Sequence, residues 1–67
     1  METVNFELAW LLERKCEIDA INAEIEGMKA LNQYRIDRNE TIAYDEDAFI
    51  VMAGQLRDIA NLIHEHR

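Results

Sequence analysis

The spacing of apolar residues constrains the fold of this chain most strongly. Two runs place apolar residues at alternating steps of three and four, which is the spacing of one face of an α-helix. The first run is Val4, Leu8, Leu11, Ile18, Ile21, Ile25, Met28 and Leu31 or Asn32, and the second is Phe49, Met52, Leu56, Ile59 and Ile63. Proline, which breaks helices, is absent from the sequence. The pattern therefore predicts an all-α chain with two helices.

Residues at the ends of both runs favour particular helix boundaries. Asn5 is expected to cap the first helix, with Thr3 as the alternative cap. Asn39 can adopt the left-handed conformation that often ends a helix. Asp45 is a good N-cap for the second helix, because two further acids follow it in the first turn. These signals predict a long helix over about residues 4–36 and a shorter one over about residues 45–65.

Two helices joined by a short connection are expected to pack as an antiparallel hairpin, here a single domain over residues 1–67. The predicted lengths are about 48 Å and about 32 Å at about 1.5 Å per residue. If the second helix starts beside Ile36, it ends beside Cys16. About three turns of the first helix would then project beyond the hairpin.

The projecting turns hold the most apolar stretch of the chain, from Phe6 to Leu12, with the only tryptophan. A chain of 67 residues has a thin margin of stability. One cysteine allows no internal disulfide, and no Cys/His cluster suggests zinc, so oligomerisation is the remaining way to cover the stretch. We expect a homodimer with a four-helix arrangement. Its predicted interface comprises Phe6, Leu8, Leu11, Leu12 and Ile18.

Charge and composition exclude several functions. The formal net charge is −7 and no basic face is present, which argues against direct nucleic-acid binding. No apolar run is long enough for a membrane span, so no membrane partner is expected. A lone thiol and the lack of a signal peptide favour a cytoplasmic protein.

No combination of residues indicates catalysis, a cofactor or a metal. The acidic segment that begins at Asp37 resembles a calcium loop, but Ile42 occupies the position that requires glycine. His64 and His66 lie two residues apart, on different faces of a helix, and are expected in a frayed tail. Cys16 has no histidine near it in the sequence and is expected to be packed. The sequence thus predicts a protein that is not an enzyme.

Aromatic and acidic residues mark a candidate surface for another protein. The candidate partner-binding residues are Trp10, Tyr34, Tyr44, Asp45, Glu46 and Asp47. Aromatic anchors with surrounding charge are typical of protein interfaces, whereas a solvated loop and a capped helix are the alternative explanation. A stripe of small residues at Ala9, Cys16, Ala23 and Ala30, with Ala20 and Gly27 beside it, is either a close helix contact or a plain solvent face.

Two resemblances follow from these features. The segment Ala53-Gly54-Gln55-Leu56-Arg57 is similar in position to the Ser-Gln-Glu-Leu-Asp signature of two-helix sporulation aspartyl-phosphatases, but Arg57 replaces the acid on which their activity depends. In size, acidity, hairpin architecture and lack of catalytic groups, the chain resembles small phage-encoded proteins that disable a host transcription regulator or another host machine. That resemblance implies an inhibitor in the host cytoplasm that works by occlusion or sequestration. The alternative is a structural subunit of a larger helical oligomer.

Overall fold

The computed structural model describes the backbone of residues 2–66 and the side chains of residues 6–66. It contains helix α1, Glu2–Asp37, and helix α2, Glu46–His66, and no strand within residues 2–66. The two helices pack against each other as a hairpin, which confirms the predicted all-α architecture. The Cα atoms span 57 × 18 × 8 Å. The molecule is therefore a rod that is two helices wide and one helix thick.

The helices meet along a seam, which we define by the least exposed residues of each helix. On α1 these are Trp10, Arg14, Ile18, Ile21, Ile25, Met28, Asn32 and Arg35, and on α2 they are Ala48, Phe49, Met52, Leu56, Ile59 and Ile63. Gly54 is also half-buried, but a Cβ atom there would have nothing within 4 Å, so we do not count it in the seam. Within the described side chains, only Met28 and Met52 are buried, at 9% and 8% exposure. Because each helix covers its neighbour on one side only, the seam lacks a deep core.

The end of α1 follows the prediction closely. Asn39 has a φ of 60°, in the left-handed region. The amide of Glu40 donates to the carbonyl of Arg35 at 2.8 Å, and the amide of Asn39 donates to the carbonyl of Ile36 at 2.9 Å. This pair of bonds is a Schellman motif, which satisfies carbonyl groups that the last helical turn would leave unpaired. The predicted role of Asn39 is confirmed.

The start of α2 also follows the prediction. The Asp45 carboxylate accepts a hydrogen bond from the amide of Ala48 at 3.1 Å, which is the bond that an N-cap makes. The helix therefore begins at Glu46, one residue after the predicted boundary. At the other end of the chain, α1 begins at Glu2, so Thr3 and Asn5 lie within the helix and the predicted N-caps there are wrong.

A polar side chain in the seam folds the connection, residues 38–45, back along α1. The Asn32 amide donates to the carbonyl of Tyr44 at 2.7 Å. Its oxygen accepts from the amides of Ala43 at 3.0 Å and Tyr44 at 2.9 Å. These bonds fix the start of α2 beside residue 32 of α1. This position is about one turn nearer the N-terminus of α1 than the expected position beside Ile36. We call this end of the hairpin, residues 32–47, the tip.

This register overturns one expectation about the other end. We expected α2 to stop beside Cys16 and leave Trp10 uncovered. Instead α2 continues to His66, whose ring stacks on Trp10. Because the connection runs back alongside the last turn of α1, α2 starts and ends nearer the N-terminus of α1 than expected. The part of α1 beyond the last contact is consequently shorter than predicted, and Leu11 and Leu12 follow Trp10 within the paired region.

Candidate protein-interaction surfaces

We call the end of the hairpin opposite the tip, around Trp10 and His66, the open end. Two stacked rings connect the helices there. The Trp10 and His66 ring centroids lie 3.9 Å apart with an interplanar angle of 11°. The Arg14 guanidinium carbon lies 5.1 Å from the centroid of the Trp10 ring, within range of a cation–π contact. The predicted frayed tail at His64 and His66 is therefore wrong: both residues are helical, and His66 closes the seam.

Arg14 occupies a seam position that an apolar residue would usually fill. Its side chain is only 15% exposed, and its guanidinium pairs with Glu17 at 2.9 Å and with Glu13 at 3.4 Å. The Nε atom is buried and has no hydrogen-bond partner. Contact with the Trp10 ring offsets part of that cost, because the ring face attracts a cation. The Trp10 ring thus contacts both the Arg14 guanidinium and the His66 ring.

Apolar side chains remain exposed around the open end. Phe6 is 80% exposed, and Leu8, Leu11 and Leu12 are also exposed. These four belong to the predicted dimer interface. The fifth member, Ile18, is half-buried in the seam. A shallow depression of about 240 Å³ lies among Phe6, Ala9, Trp10 and Glu13.

The tip collects five of the six residues predicted to bind a partner. Tyr34 and Tyr44 are exposed there, and Asp45, Glu46 and Asp47 follow Tyr44 along the chain. The Tyr34 ring lies under the Arg38 guanidinium at 5.3 Å, and Arg38 also pairs with Glu40 at 3.6 Å. Trp10, the sixth residue, lies about 36 Å from Tyr34 along α1 at about 1.5 Å per residue. The two groups of candidate residues therefore lie at opposite ends of the hairpin.

A groove beside the tip is the main feature that the sequence did not predict. Its volume is about 560 Å³. It is lined by Glu24, Gly27 and Met28 of α1, by Tyr44, and by Ala48, Val51 and Met52 of α2. A Cβ atom built on Gly27 would meet nothing within 4 Å. The groove depends on which α2 residues lie opposite Gly27, and spacing along one helix carries no such information.

The stripe of small residues lies on a solvent-exposed face of α1. Ala9, Cys16, Ala23 and Ala30 are all exposed. The expected packing of Cys16 is wrong for the hairpin, because its thiol is free and exposed.

An exposed ion pair lies beside this stripe. The Lys15 ammonium donates a 2.9 Å hydrogen bond to the Asp19 carboxylate. This hydrogen bond and the negative charge of Asp19 raise the pKa of Lys15 above its ordinary value of 10.5.

Over the described residues, no three His, Cys, Asp or Glu side chains form a group that could hold a metal ion. Neither helix, as far as it is described, has a stretch long and apolar enough to span a membrane. No protein-family model, curated protein or solved structure matches this chain. Functional inference therefore rests on the surfaces of the hairpin.

Proposed function

We propose that this protein is a non-catalytic regulator or inhibitor, which acts in the cytoplasm by occupying the surface of another protein, such as a transcription regulator. The supporting observation is the large amount of apolar surface left uncovered by the hairpin. Twelve large apolar or aromatic side chains are exposed among residues 6–66, whereas only two apolar side chains are buried. Exposed apolar surface on this scale is typical of proteins that bind other proteins.

We further propose that part of this surface is used by a second copy of the chain. Phe6, Leu8, Leu11 and Leu12 surround the open end and would bury one another across a two-fold axis. Each large apolar side chain that becomes buried contributes about 1.5–3 kcal/mol. A dimer formed in this way would be a four-helix assembly that leaves both tips free for a target.

The dimer is tested by the mass of the protein in solution. Leu11→Asp should reduce the mass to that of a monomer and lower the helicity, because each hairpin alone has a thin seam. Ile50→Asp is the matched control, since it introduces the same charge at an exposed position of α2 near the tip. A Leu11→Asp variant that is monomeric with unchanged helicity would show that the hairpin is stable alone. A dimeric Leu11→Asp variant would show that the interface lies elsewhere.

The function is tested by capture of a partner from bacterial lysate with tagged protein. We expect one stoichiometric partner, identified by mass spectrometry, that is retained by the wild type. Tyr44→Ala should weaken the capture without changing the mass of the dimer, because Tyr44 lies at the tip. If the protein recovers only itself, a regulatory role is wrong.

The exposed stripe of small residues favours a second candidate, a structural subunit. Ala9, Cys16, Ala23 and Ala30 would let the backbones of neighbouring helices approach closely. An open series of oligomers that grows with concentration would support this role, whereas a closed dimer supports the regulator.

A further inference from the structure

We propose that the groove beside Gly27 binds an amphipathic helix of the partner protein, one whose apolar residues are flanked by Lys or Arg. This inference rests on the proposed function and names the surface and the partner chemistry. Helices commonly bind by laying their apolar face into such a groove, with anchors at steps of three and four.

The groove has an apolar floor and an accessible wall. Met28 and Met52 are the two most buried apolar side chains, and both lie in its lining. Methionine side chains are flexible and polarisable, so they can adapt to an incoming apolar group. Val51, at the groove wall, is 60% exposed. A volume of about 560 Å³ is large enough for more than one apolar side chain of a partner.

Gly27 permits a close approach that the hairpin itself does not use. A glycine inside a helix costs about 1 kcal/mol relative to alanine. No described residue requires a glycine here, because a Cβ atom at this position would have no atom of theirs within 4 Å. Ala48 lines the groove from α2, so both helices present a small residue there. The backbone of a third helix could therefore lie close to α1 at this point.

Acidic side chains at the groove favour a bound helix that carries Lys or Arg. Glu24 lines the groove, and its carboxylate has no ion pair or hydrogen bond to any described residue. Asp47 lies one turn before Val51 on α2, and its carboxylate is likewise unpaired within residues 6–66. If a second copy of the chain docked here through the same surface, it would bring the same acids against Glu24 and Asp47, which like-charge repulsion opposes. Lys or Arg on the flanks of the bound helix would pair with these acids.

The test uses two synthetic helical peptides as probes. Both carry leucine along one face; one has lysine on the flanks and the other has glutamate at the same positions. Amide NMR spectra of the full protein should show shifts at Gly27, Ala48 and Val51 with the lysine peptide. The glutamate peptide should bind at least about tenfold more weakly, a difference of about 1.4 kcal/mol.

Two variants separate the groove from general attraction to an acidic protein. Gly27→Met fills the groove and should weaken binding of the lysine peptide about tenfold, or about 1.4 kcal/mol. Gly54→Met is the matched control, because Gly54 also has open space around its Cβ position but does not line the groove. It should bind within about twofold of the wild type. Val51→Lys, at an exposed position, should also weaken binding by repelling the lysine peptide.

Several outcomes would overturn the groove as the binding site. These are equal binding of the two peptides, no binding of either, shifts concentrated at Phe6–Leu12, or equal binding by Gly27→Met and Gly54→Met. Groove resonances that change on dilution without peptide would identify a second copy as the occupant. If a lysate partner is captured equally by both glycine variants, the groove proposal fails while the proposed function stands. If no partner is captured, the proposed function fails whatever the peptides do.

Discussion

The tip and the open end hold the two helices together by different chemistry. At the tip, hydrogen bonds fix the backbone: Asn32 binds the returning connection, Asp45 caps α2, and Asn39 ends α1. At the open end, side chains alone make the closure, through the stacking of Trp10 on His66. Hydrogen bonds to backbone groups are directional, so they fix which residues of the two helices lie side by side. Two stacked rings can slide over each other and still remain in contact. We infer that the tip sets the register of the hairpin and that the open end responds to it.

Asn32→Ala should have the largest effect among the changes that probe this difference. The substitution removes three hydrogen bonds, two to the backbone of Tyr44 and one to that of Ala43. At about 0.5–1.5 kcal/mol for each bond, the free energy of unfolding should fall by about 1.5–4.5 kcal/mol. Urea denaturation followed by circular dichroism measures this change.

The control for that prediction keeps part of the network. Asn32→Asp retains an oxygen that accepts from the amides of Ala43 and Tyr44, but it cannot donate to the carbonyl of Tyr44. It should therefore be destabilised less than Asn32→Ala. Equal stability of Asn32→Ala and the wild type would mean that the tip does not set the register.

Asp45→Ala tests the cap at the same end. The carboxylate accepts from the amide of Ala48 at 3.1 Å, and its loss should cost about 0.5–2 kcal/mol. Asp45→Asn should restore most of the stability, because asparagine is an equally good N-cap. Amide hydrogen exchange should quicken at Asp47 and Ala48 in Asp45→Ala. Unchanged exchange there would show that the first turn of α2 is held by other contacts.

His66→Ala probes the open end. Loss of the ring stack should cost about 0.5–1.5 kcal/mol, a smaller effect than that of Asn32→Ala. Because Trp10 is the only tryptophan, its fluorescence reports this contact directly, and its emission should shift to longer wavelength as water reaches the ring. His64→Ala is the control, since His64 lies on another part of the same last turn. An unchanged emission in His66→Ala would show that the stack does not shield Trp10 from water and does not hold the open end together.

The same contrast explains which features could be predicted from the sequence. Asn39 and Asp45 act on backbone groups a few residues away, so capping rules identified both. The two helices followed from the spacing of apolar residues. The register was not predictable, because it depends on how Asn32 binds an extended connection eleven or twelve residues away.

An error in register spread to the rest of the site. The tip is shifted by about one turn, and the end of α2 is displaced in the same direction, from the expected position beside Cys16 to one beside Trp10. The groove was missed for the same reason, since it is lined by residues of both helices and the register decides which of them lie together. Exposed residues such as Phe6 and Leu8 were identified because their exposure depends little on where α2 ends.

The pair Lys15 and Asp19 lies between the two ends and should have the smallest effect on stability. Asp19→Asn should lower the pKa of Lys15 toward 10.5, because the hydrogen bond with Asp19 and its charge raise that pKa in the folded protein. Since the folded pKa lies above the unfolded one, the contribution of Lys15 is fully present below the unfolded pKa and is lost only as the pH rises through the folded value. NMR titration of the Lys15 side chain measures the shift.

The matched control is Glu26→Gln, which removes a carboxylate from the same helix at a different ion pair, that with Lys29 at 3.1 Å. It should leave the titration of Lys15 unchanged. In Asp19→Asn, both the thermal midpoint at pH 7 and the Trp10 emission should stay at wild-type values, because exposed ion pairs contribute little. If either changed as much as in Asn32→Ala or His66→Ala, the middle of α1 would hold the helices together as firmly as their ends do.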